Sequence, residues 1–523
     1  MHKLVLALLS SYLLIFPVGS VHEGTVKSCN QAPYPNVCNH YINSNVNETE
    51  SSFRYLSLKV TMEQAVRAHR LMSTVDVSSF DERAELAWID CWELYEDTIN
   101  KLNRSLSSNS PTDTQTWLSA AIANQQTCQN GFSDFNLSSH LKSLSYMIGD
   151  FSKLLINSLA INKVTVSSFS VPSRTKQVGG RSLLGNDFPY WVSAADRKLL
   201  RSTEAAPKAH IVVAKDGSGN YMTISEALAE ASELGDGSKR LVIYVKAGVY
   251  NENVVISRSM TNLMFIGDGI DVTVVTGNKN ARYGSTTFRS ATFSVSGDGF
   301  IARDMTFENT AGPQNQQAVA LLCGSDLSVF YSCSIKGYQD TLYVYSQRQF
   351  YRNCEIYGTI DFIFGDAVAV LQNCNIYVRK PMSGQKNTIT AQGRTDPNEN
   401  TGIVIHDSSV MASTDLLPVE GSYKTYLGRP WQKYSRTVFM KSFLDRLIDP
   451  AGWLPWSGDF ALSTLYYGEY MNTGSGADTS GRVKWPGYHP KMTTTDARMF
   501  TVGNFLAGDS WIPATGVPFH SGL

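Results

Sequence analysis

The sequence predicts two domains: an all-α four-helix bundle and, after it, an all-β domain that forms a right-handed parallel β-helix. Three observations predict this arrangement. Apolar residues recur every three or four positions up to about residue 166, short β-branched and aromatic runs closed by Gly, Asn or Asp replace them after residue 207, and some of these runs repeat at intervals of about 20 residues. With 523 residues the chain is long enough for both domains.

Residues 1–20 have the pattern of a secretory signal peptide. A short basic start precedes an apolar run, residues 4–18, that is too short and wrongly flanked for a stable membrane span. An uncleaved anchor is the alternative. No later stretch approaches eighteen unbroken apolar residues, so we expect a secreted, extracellular protein without a membrane span. Three glycosylation sequons agree with export and begin at Asn47, Asn103 and Asn136.

The charge of the chain is balanced. The sequence has 45 Lys and Arg against 46 Asp and Glu, and neither half is basic or acidic. This balance excludes a basic nucleic-acid-binding arm and an acidic tail, so we expect no nucleic-acid partner. The histidines are scattered, and we therefore expect no metal site and no cofactor.

Residues 25–166 carry the helical pattern. Similar amphipathic stretches cover residues 53–72, 81–102 and 113–128, and a fourth has an apolar stripe in steps of three and four. That stripe consists of Leu141, Leu144, Ile148, Phe151, Leu155 and Leu159. Four such helices joined by polar loops predict an up-and-down bundle. Residues 167–207 contain Ser, Gly and Arg without periodicity, and we interpret them as a linker.

Eight cysteines in an exported chain permit up to four disulfides. Cys29 and Cys38 are close enough in sequence to close a small loop. Cys91 and Cys128 lie on separate predicted helices, which a disulfide between them would connect. Buried free thiols are the alternative for these residues.

Short apolar runs mark the strands of residues 208–523, and the first of them cover residues 241–245, 263–266, 272–275 and 292–295. The segments FYSCSI, FYRNCEI and VLQNCNI align on Cys333, Cys354 and Cys374, at nearly equal spacings. A repeat of this length is typical of one coil of a parallel β-helix, in which each coil buries its apolar positions against the next. Cys354 and Cys374 would lie on adjacent coils and could form a disulfide, although Cys333 and Cys354 satisfy the same spacing.

Two aspartates follow the same interval. Asp340 in GYQDTLY and Asp361 in GTIDFIFG are separated by the interval that separates Cys333 from Cys354, so adjacent coils would stack them about 4.8 Å apart. Two carboxylates this close cannot both ionise easily; one pKa should rise, which gives an acid beside a nucleophile. Turn residues that cap strand ends are the alternative. The hydrophobic neighbours of Asp361 in DFIFG make an uncompensated charge costly and favour a catalytic role.

Five segments resemble those of the plant pectin methylesterases and occur in the expected order within residues 208–523: TTFRSATF, QAVAL, GYQDTLY, GTIDFIFG and LGRPW. The helical region with its paired cysteines is similar to the plant invertase and pectin methylesterase inhibitor domain, which many of these enzymes carry as a pro-region. The linker contains Arg181-Ser-Leu-Leu184, where a doubled Arg is frequent in the family. We expect a protease to cleave after Leu184.

The resemblance implies a role for each matching residue. Asp361 would be the nucleophile that attacks the methyl-ester carbonyl. Asp340 would be the acid that protonates the departing methanol and then the base that activates water. Gln317 and Gln339 would direct side-chain amides at the oxyanion of the tetrahedral intermediate. Arg429 would pair with Asp361 and hold it charged and oriented.

Two further residues would contact the substrate: Thr287 through its hydroxyl and Trp431 through a flat face against a sugar ring. Two other positions depart from the family's pattern, since Gln316 replaces a common His and Leu322 a common Arg on either side of QAVAL. Neither position has a role in the mechanism. The departures therefore bear on substrate preference or local packing rather than on activity.

The implied activity is the removal of methyl esters from homogalacturonan pectin in the plant cell wall, which gives pectate and methanol. Methyl-esterified homogalacturonan is the expected partner, and pectin methylesterase inhibitor proteins and a processing protease are further partners. Two other functions stay open. One is a β-helical glycosidase or lyase acting on the same polymer, since carboxyl groups about 5 Å apart suit a retaining glycosidase. The other is an inactive wall-binding or inhibitor protein. The absence of a GxSxG segment argues against a serine esterase.

Overall fold

A computed structural model of the chain describes residues 28–42, 50–78, 80–134, 149–163, 209–235 and 237–523. The expected signal peptide, the linker with Leu184, and the sequons at Asn47 and Asn136 lie outside these residues. So does the first half of the fourth apolar stripe, which comprises Leu141, Leu144 and Ile148.

The described N-terminal region is helical, as predicted. Its helices are α1 (Pro35–Tyr41), α2 (Glu50–Met72), α3 (Glu82–Ser107), α4 (Pro111–Asp134) and α5 (149–163). Helices α2, α3 and α4 coincide with the first three amphipathic stretches of the sequence, and α5 contains the second half of the fourth. We call α2 to α5 the helical bundle.

Helix α3 illustrates why the bundle forms. Its residues Ala84, Ala87, Cys91 and Leu94 are buried in the core at steps of three and four, so that one stripe of the helix faces its neighbours. Its first turn is capped by the Asp81 side chain, which accepts a hydrogen bond of 2.8 Å from the Ala84 amide. Both disulfides expected in this region are present, Cys29–Cys38 and Cys91–Cys128. The second joins α3 to α4.

The C-terminal region forms three sheets in which every pair of neighbouring strands is parallel. The eleven-stranded sheet contains β1 (Ile211–Val213), β2 (Leu241–Val245), β5 (Leu263–Ile266), β8 (Ile301–Arg303), β11 (Ser328–Tyr331), β14 (Arg348–Arg352), β17 (Val368–Gln372), β20 (Gly402–His406), β23 (Arg436–Met440), β25 (Tyr466–Tyr470) and β26 (Tyr488–His489). The eight-stranded sheet contains β3 (Gly248–Asn251), β6 (Thr273–Gly277), β9 (Thr306–Asn309), β12 (Ser334–Lys336), β15 (Glu355–Gly358), β18 (Asn375–Val378), β21 (Ser409–Ala412) and β24 (Phe443–Leu444). The seven-stranded sheet contains β4 (Val254–Ile256), β7 (Phe293–Val295), β10 (Leu321–Cys323), β13 (Leu342–Val344), β16 (Ile363–Gly365), β19 (Asn387–Gln392) and β22 (Thr425–Gly428).

Successive coils stack in the register that the repeat predicted. Phe330 pairs with Tyr351 and Ile335 with Ile356, and the members of each pair are one repeat apart in sequence. The inward side chains form one continuous core along the axis, in which the rings of Phe330 and Tyr351 stack with centroids 4.9 Å apart. These observations confirm the parallel β-helix.

Helices cover the N-terminal end and one face of the β-helix. Helix α6 (Ile224–Leu234) buries its apolar face, which includes Ile224 and Leu228, against the first coils and so closes the N-terminal end of the core. Helices α7 (Thr494–Arg498) and α8 (Val502–Phe505) pack on the outer face of the eleven-stranded sheet. None of the helices within the described ranges is long and apolar enough to cross a membrane.

The disulfide predicted between Cys354 and Cys374 is wrong. These two residues, together with Cys323 and Cys333, are buried free thiols. Side chains at paired positions of parallel strands project in the same direction, so their Cβ atoms keep the strand separation of about 4.8 Å. That separation exceeds the roughly 3.5–4.5 Å that a disulfide requires between Cβ atoms. The spacing of the repeat predicted the right coils but not the direction of the side chains.

We expect four thiols per chain to become reactive only when the protein unfolds. In native protein without reductant an aromatic disulfide reagent should label none of the four, because each is fully buried. In denaturant the same protein should show four thiols, and after reduction all eight cysteines of the sequence should react. Two thiols in denaturant, instead of four, would mean that a third disulfide exists.

Candidate active site

The two aspartates lie side by side in the turns that connect the eight-stranded sheet to the seven-stranded sheet. Asp340 precedes β13 and Asp361 precedes β16, and the pairing of Leu342 with Ile363 places them at equivalent positions of adjacent coils. The Asp340 amide donates a hydrogen bond of 3.0 Å to the carbonyl of Ile360. Both aspartates have a positive φ, 61° and 50°, a conformation that Asp tolerates better than most residues.

A glycine makes the turn before Asp361 possible. A Cβ atom on Gly358 would lie 2.2 Å from the Cβ of Phe362, far inside van der Waals contact. Phe362 itself is fully buried in the core of the β-helix. The chain therefore anchors Phe362 inward, and Asp361, the residue before it, lines the cavity beside the turn instead of the core.

Three hydrogen-bond donors fix the Asp361 side chain. Arg429 donates from Nε to Oδ1 at 2.8 Å and from Nη2 to Oδ2 at 2.5 Å. The Thr388 hydroxyl donates to Oδ1 at 2.6 Å, and it accepts a hydrogen bond of 2.9 Å from the Asp361 amide. Bidentate pairing with a guanidinium fixes the plane of the carboxylate, so Asp361 presents a defined edge to the cavity beside it.

Arg429 comes from the turn after β22, two coils beyond Asp361. Burial lowers the pKa of Arg429, yet its hydrogen bonds with Asp361 and the charges of Asp361 and Asp340 outweigh burial and leave the pKa raised. Its guanidinium also lies 4.3 Å from the ring centroid of Trp456. Arg429 is therefore a fixed cation beside both carboxyl groups.

All the residues predicted for the site line one cavity of about 210 Å³. They are Thr287, Gln317, Gln339, Asp340, Asp361, Arg429 and Trp431. Apolar and aromatic side chains complete its wall, among them Phe288, Tyr343, Phe364 and Trp456. Trp431 approaches the backbone closely at Gly393, where a Cβ would lie 2.9 Å from its ring. A small cavity lined by carboxyl groups, amides and aromatic rings suits one sugar unit with an ester group.

Sequence reasoning missed Thr388 and Trp456. Thr388 lies more than one repeat after Asp361, because the coil between β16 and β19 is longer than the coils before it, and the repeat therefore concealed it. Trp456 reaches the site by stacking on Arg429, and no local pattern indicates that contact.

The helical bundle lies over the same cavity. Asp90 of α3 and three residues of α4, Thr127, Asn130 and Gly131, are part of its lining. The Thr286 hydroxyl donates a hydrogen bond of 2.6 Å to Asp90. Helices α3 and α4 thus close the side of the cavity that faces away from the β-helix core.

Ion pairs and an apolar cluster hold the bundle in place. Arginines of the β-helix pair with acidic residues of α3 and α4: Arg289 with Asp90 (2.5 Å) and Glu93 (3.0 Å), Arg258 with Glu96 (2.6 Å), and Arg348 with Asp113 (2.7 Å). Burial raises the pKa of Asp90 to about 6, although Arg289 and Thr286 favour its ionised form.

Leu322, one of the two departures from the family's pattern, belongs to the apolar cluster under the bundle. Its side chain is fully buried and packs in the cluster that also contains Leu118 and Ile122 of α4. An arginine there would bring a charge into this contact. Gln316, the other departure, is exposed and has a strained backbone with φ 62° and ψ −141°.

Comparison with known proteins identifies the family. The Pectinesterase family model matches residues 210–509, and the Plant invertase/pectin methylesterase inhibitor model matches residues 25–161. The chain belongs to the pectinesterase family. It is 54% identical over 542 residues to probable pectinesterase/pectinesterase inhibitor 6 of Arabidopsis thaliana, covering 98% of this chain and 96% of that protein. It is 53% identical to pectinesterase 2 of Citrus sinensis, covering 95% of each.

Solved structures of pectin methylesterases are also similar to this chain. The pectin methylesterase from carrot is 58% identical, with a TM-score of 0.60, and matches 61% of this chain and all of its own. The pectin methylesterase from Aspergillus niger is 32% identical, with a TM-score of 0.51, and covers 59% of this chain and 97% of its own. The solved carrot chain therefore has no counterpart of about two fifths of this chain.

Thr388→Val should slow the pectinesterase reaction without weakening substrate binding. The substitution keeps the volume but removes the hydroxyl that orients Asp361, and a lost hydrogen bond to a charged group corresponds to about a 10- to 100-fold lower kcat. The KM for methylated pectin should change little, and Thr388→Ser should restore most of kcat. A Thr388→Val protein with the parent's kcat would show that this hydroxyl does not position Asp361.

Proposed function

We propose that this pectinesterase removes methyl esters from homogalacturonan with Asp361 as nucleophile and Asp340 as acid and base. The observation that carries the proposal is the position of the two carboxyl groups. They lie on adjacent coils and line one cavity, and Asp361 is the one that Arg429 and Thr388 clamp. A clamped carboxylate beside a second carboxyl group provides a nucleophile and a proton donor within one site.

In the first half of the reaction a carboxylate oxygen of Asp361 attacks the carbonyl carbon of the methyl ester. Negative charge moves to the carbonyl oxygen, which the side-chain amides of Gln317 and Gln339 would stabilise from the same cavity wall. The bond from carbon to the methoxy oxygen then breaks, and Asp340 transfers its proton to that oxygen. Methanol leaves, and the galacturonosyl group remains joined to Asp361 as an anhydride.

In the second half Asp340, now ionised, takes a proton from a water molecule. The resulting hydroxide attacks the galacturonosyl carbonyl, the bond to Asp361 breaks, and the carboxylic acid of the polymer leaves and loses its proton to solvent. Asp361 returns to its ionised state and Asp340 to its protonated state. The reaction consumes one water and releases one methanol, and it leaves the glycosidic bonds intact.

Asp361→Asn should abolish methanol release from methylated pectin, by at least about 10³-fold, because an amide is a poor nucleophile. Asp340→Asn should do so as well. Asp459→Asn, an exposed aspartate on the loop that also carries Trp456, is the matched control and should keep the parent's rate. The same samples are assayed for new reducing ends and unsaturated ends. Near-full activity of Asp361→Asn would refute the mechanism, and new chain ends would indicate a glycosidase or a lyase.

We propose that the helical bundle masks the site until the linker is cut. The bundle supplies four of the residues that line the catalytic cavity. Ion pairs of its acidic residues with Arg258, Arg289 and Arg348 bind it to the β-helix. A polymer that must lie across Asp340 and Asp361 would meet α3 and α4. Cleavage after Leu184, by a processing protease, would separate the bundle from the enzyme. Inhibitor proteins that resemble the bundle would compete for the surface it leaves.

The protein would act outside the cell, in the cell wall, after removal of residues 1–20. Asn103, the sequon within the described residues, lies on α3 with an exposed side chain and would accept a glycan. A glycan on Asn47, Asn103 or Asn136 would be lost with the bundle.

Masking should weaken as the pH rises. In the docked state burial raises the pKa of Asp90 to about 6, and on release the pKa returns towards its ordinary value of 3.8. Docking of the bundle therefore takes up a proton on Asp90. The stabilisation of the docked state by this proton is fully present below about pH 4 and is lost as the pH rises through about 6. The charged groups that face Asp90 are Arg289 and Glu93. Between these two pKa values, each pH unit changes the equilibrium constant of docking by about tenfold.

The measurement is the methanol release of the full chain divided by that of residues 185–523, from pH 4 to pH 7. This ratio removes the pH dependence of the catalytic reaction, which is common to both proteins. It should be small at pH 4 and rise towards pH 7, whereas Asp90→Asn, which is neutral throughout, should give a flatter profile. A quotient near one at every pH would refute masking, and one that falls with pH would refute the role of Asp90.

A further inference from the structure

Asp366 and Glu399 are two buried acids that lie outside the catalytic machinery. Asp366 follows β16, the strand that Asp361 precedes, and Glu399 lies in the loop of residues 393–401 between β19 and β20. Asp366 is 5% exposed and Glu399 1% exposed. Their carboxyl groups are within hydrogen-bonding distance of each other, and we call them the carboxyl pair.

Fixed donors occupy one oxygen of Asp366. Its Oδ1 accepts a hydrogen bond of 2.9 Å from the Gln392 side-chain nitrogen and one of 2.5 Å from the Thr401 hydroxyl. The Gln392 side chain cannot turn round, because its oxygen accepts from the backbone amides of Arg394 (3.1 Å) and Arg436 (2.7 Å). The second oxygen of Asp366, Oδ2, is buried and has no donor among the described residues.

Glu399 is held in the same way. Its Oε1 accepts from the backbone amides of Thr395 (2.8 Å) and Asp396 (2.6 Å) and from the Thr395 hydroxyl (3.0 Å). Its Oε2 is buried and, within the described part of the chain, also has no donor. The contact of the pair is therefore between Asp366 Oδ2 and Glu399 Oε2. Ionised carboxylates only accept hydrogen bonds, so this contact needs a proton on one of the two oxygens.

Two arginines beside the pair favour an ionised state for its other carboxyl group. Arg394 donates from Nε to the carbonyl of Glu399 at 3.0 Å, and Arg436 donates from Nε to the carbonyl of Thr401 at 2.6 Å. Both guanidinium groups thus bind the backbone of the loop and leave the contact between the two acids intact. Burial and the facing Asp366 raise the pKa of Glu399 well above its usual range.

The loop of residues 393–401 supports the turn between β22 and β23, which carries Arg429 and Trp431. The Tyr434 amide in this turn donates a hydrogen bond of 3.0 Å to the carbonyl of Arg394. The Trp431 ring packs so closely on Gly393 that a Cβ there would lie 2.9 Å from it. A displacement of the loop would therefore displace the turn from which Arg429 reaches the active site.

We propose that Asp366 and Glu399 share one proton, and that this proton clamps the 393–401 loop and thereby positions Arg429 in the active site. The two acids are positioning residues and do not touch the substrate. Their effect on catalysis deepens the proposed function and rests on it, whereas the clamp itself does not. When the loop opens, the shared proton passes to solvent and both carboxyl groups are ionised.

The clamp should weaken as the pH rises. The closed loop holds a proton that the open loop releases, so its stabilisation is fully present below the ordinary pKa of Glu399, 4.5, and is lost as the pH rises through the raised pKa. The charged groups that face the pair are Arg394 and Arg436. Asp396 and Lys163 of α5 in turn face Arg394.

Amide hydrogen exchange of the full chain tests the clamp. Glu399→Gln keeps the oxygen that accepts the backbone amides and replaces the shared proton with an N–H group, so its clamp does not titrate. In peptides that cover residues 393–401 and 429–436, the exchange rate of the parent divided by that of Glu399→Gln should rise about tenfold per pH unit, from about pH 5 to the raised pKa. Glu233→Gln, an exposed glutamate on α6, is the matched control and should give a constant ratio.

The two acids should also show a distinctive non-additivity. Asp366→Asn alone should behave like Glu399→Gln, because its amide would donate to Glu399. The double variant places two NH₂ groups against each other and should exchange at least about tenfold faster than either single variant. A ratio that is constant with pH, or a double variant as protected as the single ones, would refute the shared proton. A rise confined to residues 393–401 would refute the positioning of Arg429.

Infrared difference spectra of the full chain at about pH 7 detect the proton directly. The spectrum of the parent minus that of Glu399→Gln should contain the carbonyl stretching band of a protonated carboxyl group, and the parent minus Glu233→Gln should not. Absence of the band from the first difference would contradict the proposal. Neither measurement uses a substrate, so a failure of the clamp is distinguishable from a failure of the proposed function, which methanol release tests.

Discussion

The in-register stacking of parallel coils is the constraint on which the site depends. Because each strand pairs with its equivalent one coil away, side chains one repeat apart in sequence are held at the strand separation, as Phe330 and Tyr351 are inside the core. The same rule acts on Asp340 and Asp361 at the turn. A coil longer or shorter by a single position would turn one of the two side chains to another face. The pairing of the two aspartates thus depends on coil length, and two further coils of the same stack bring Arg429 to them.

One sequence segment serves both the cavity and the bundle. In TTFRSATF, Thr287 lines the cavity, while Thr286 and Arg289 hold Asp90 of the bundle. The bundle is therefore fastened to the rim of the site rather than to a distant surface. Leu322 adds apolar contact beneath α4, so the enzyme face that carries the site also buries apolar surface against the bundle.

The sequence was sufficient for the β-helix and for the aspartate pair because both follow from a short local repeat. It was insufficient where a contact depends on side-chain direction or on an irregular coil. Cys354 and Cys374 lie on adjacent coils, as predicted, but point the same way and stay reduced. Thr388 was concealed by a coil longer than the repeat, and Asp90 meets Arg289 although the rest of the bundle, the linker and the first coils separate them in sequence. The departure at Leu322 indicates a difference in substrate preference or local packing, and the structure places this side chain in the apolar cluster with Leu118 and Ile122 of α4.

Both disulfides among the described residues join cysteines that precede the linker, whereas the cysteines of the β-helix are thiols sealed in its core. The helical bundle and the β-helix therefore differ in their dependence on redox conditions. Oxidative folding in the secretory pathway would be a requirement of the bundle alone. Once separated from the bundle, the enzyme would be stabilised by hydrogen bonds between its coils and by stacked rings in its core. Reductants would not destabilise it, because its four cysteines form no disulfide.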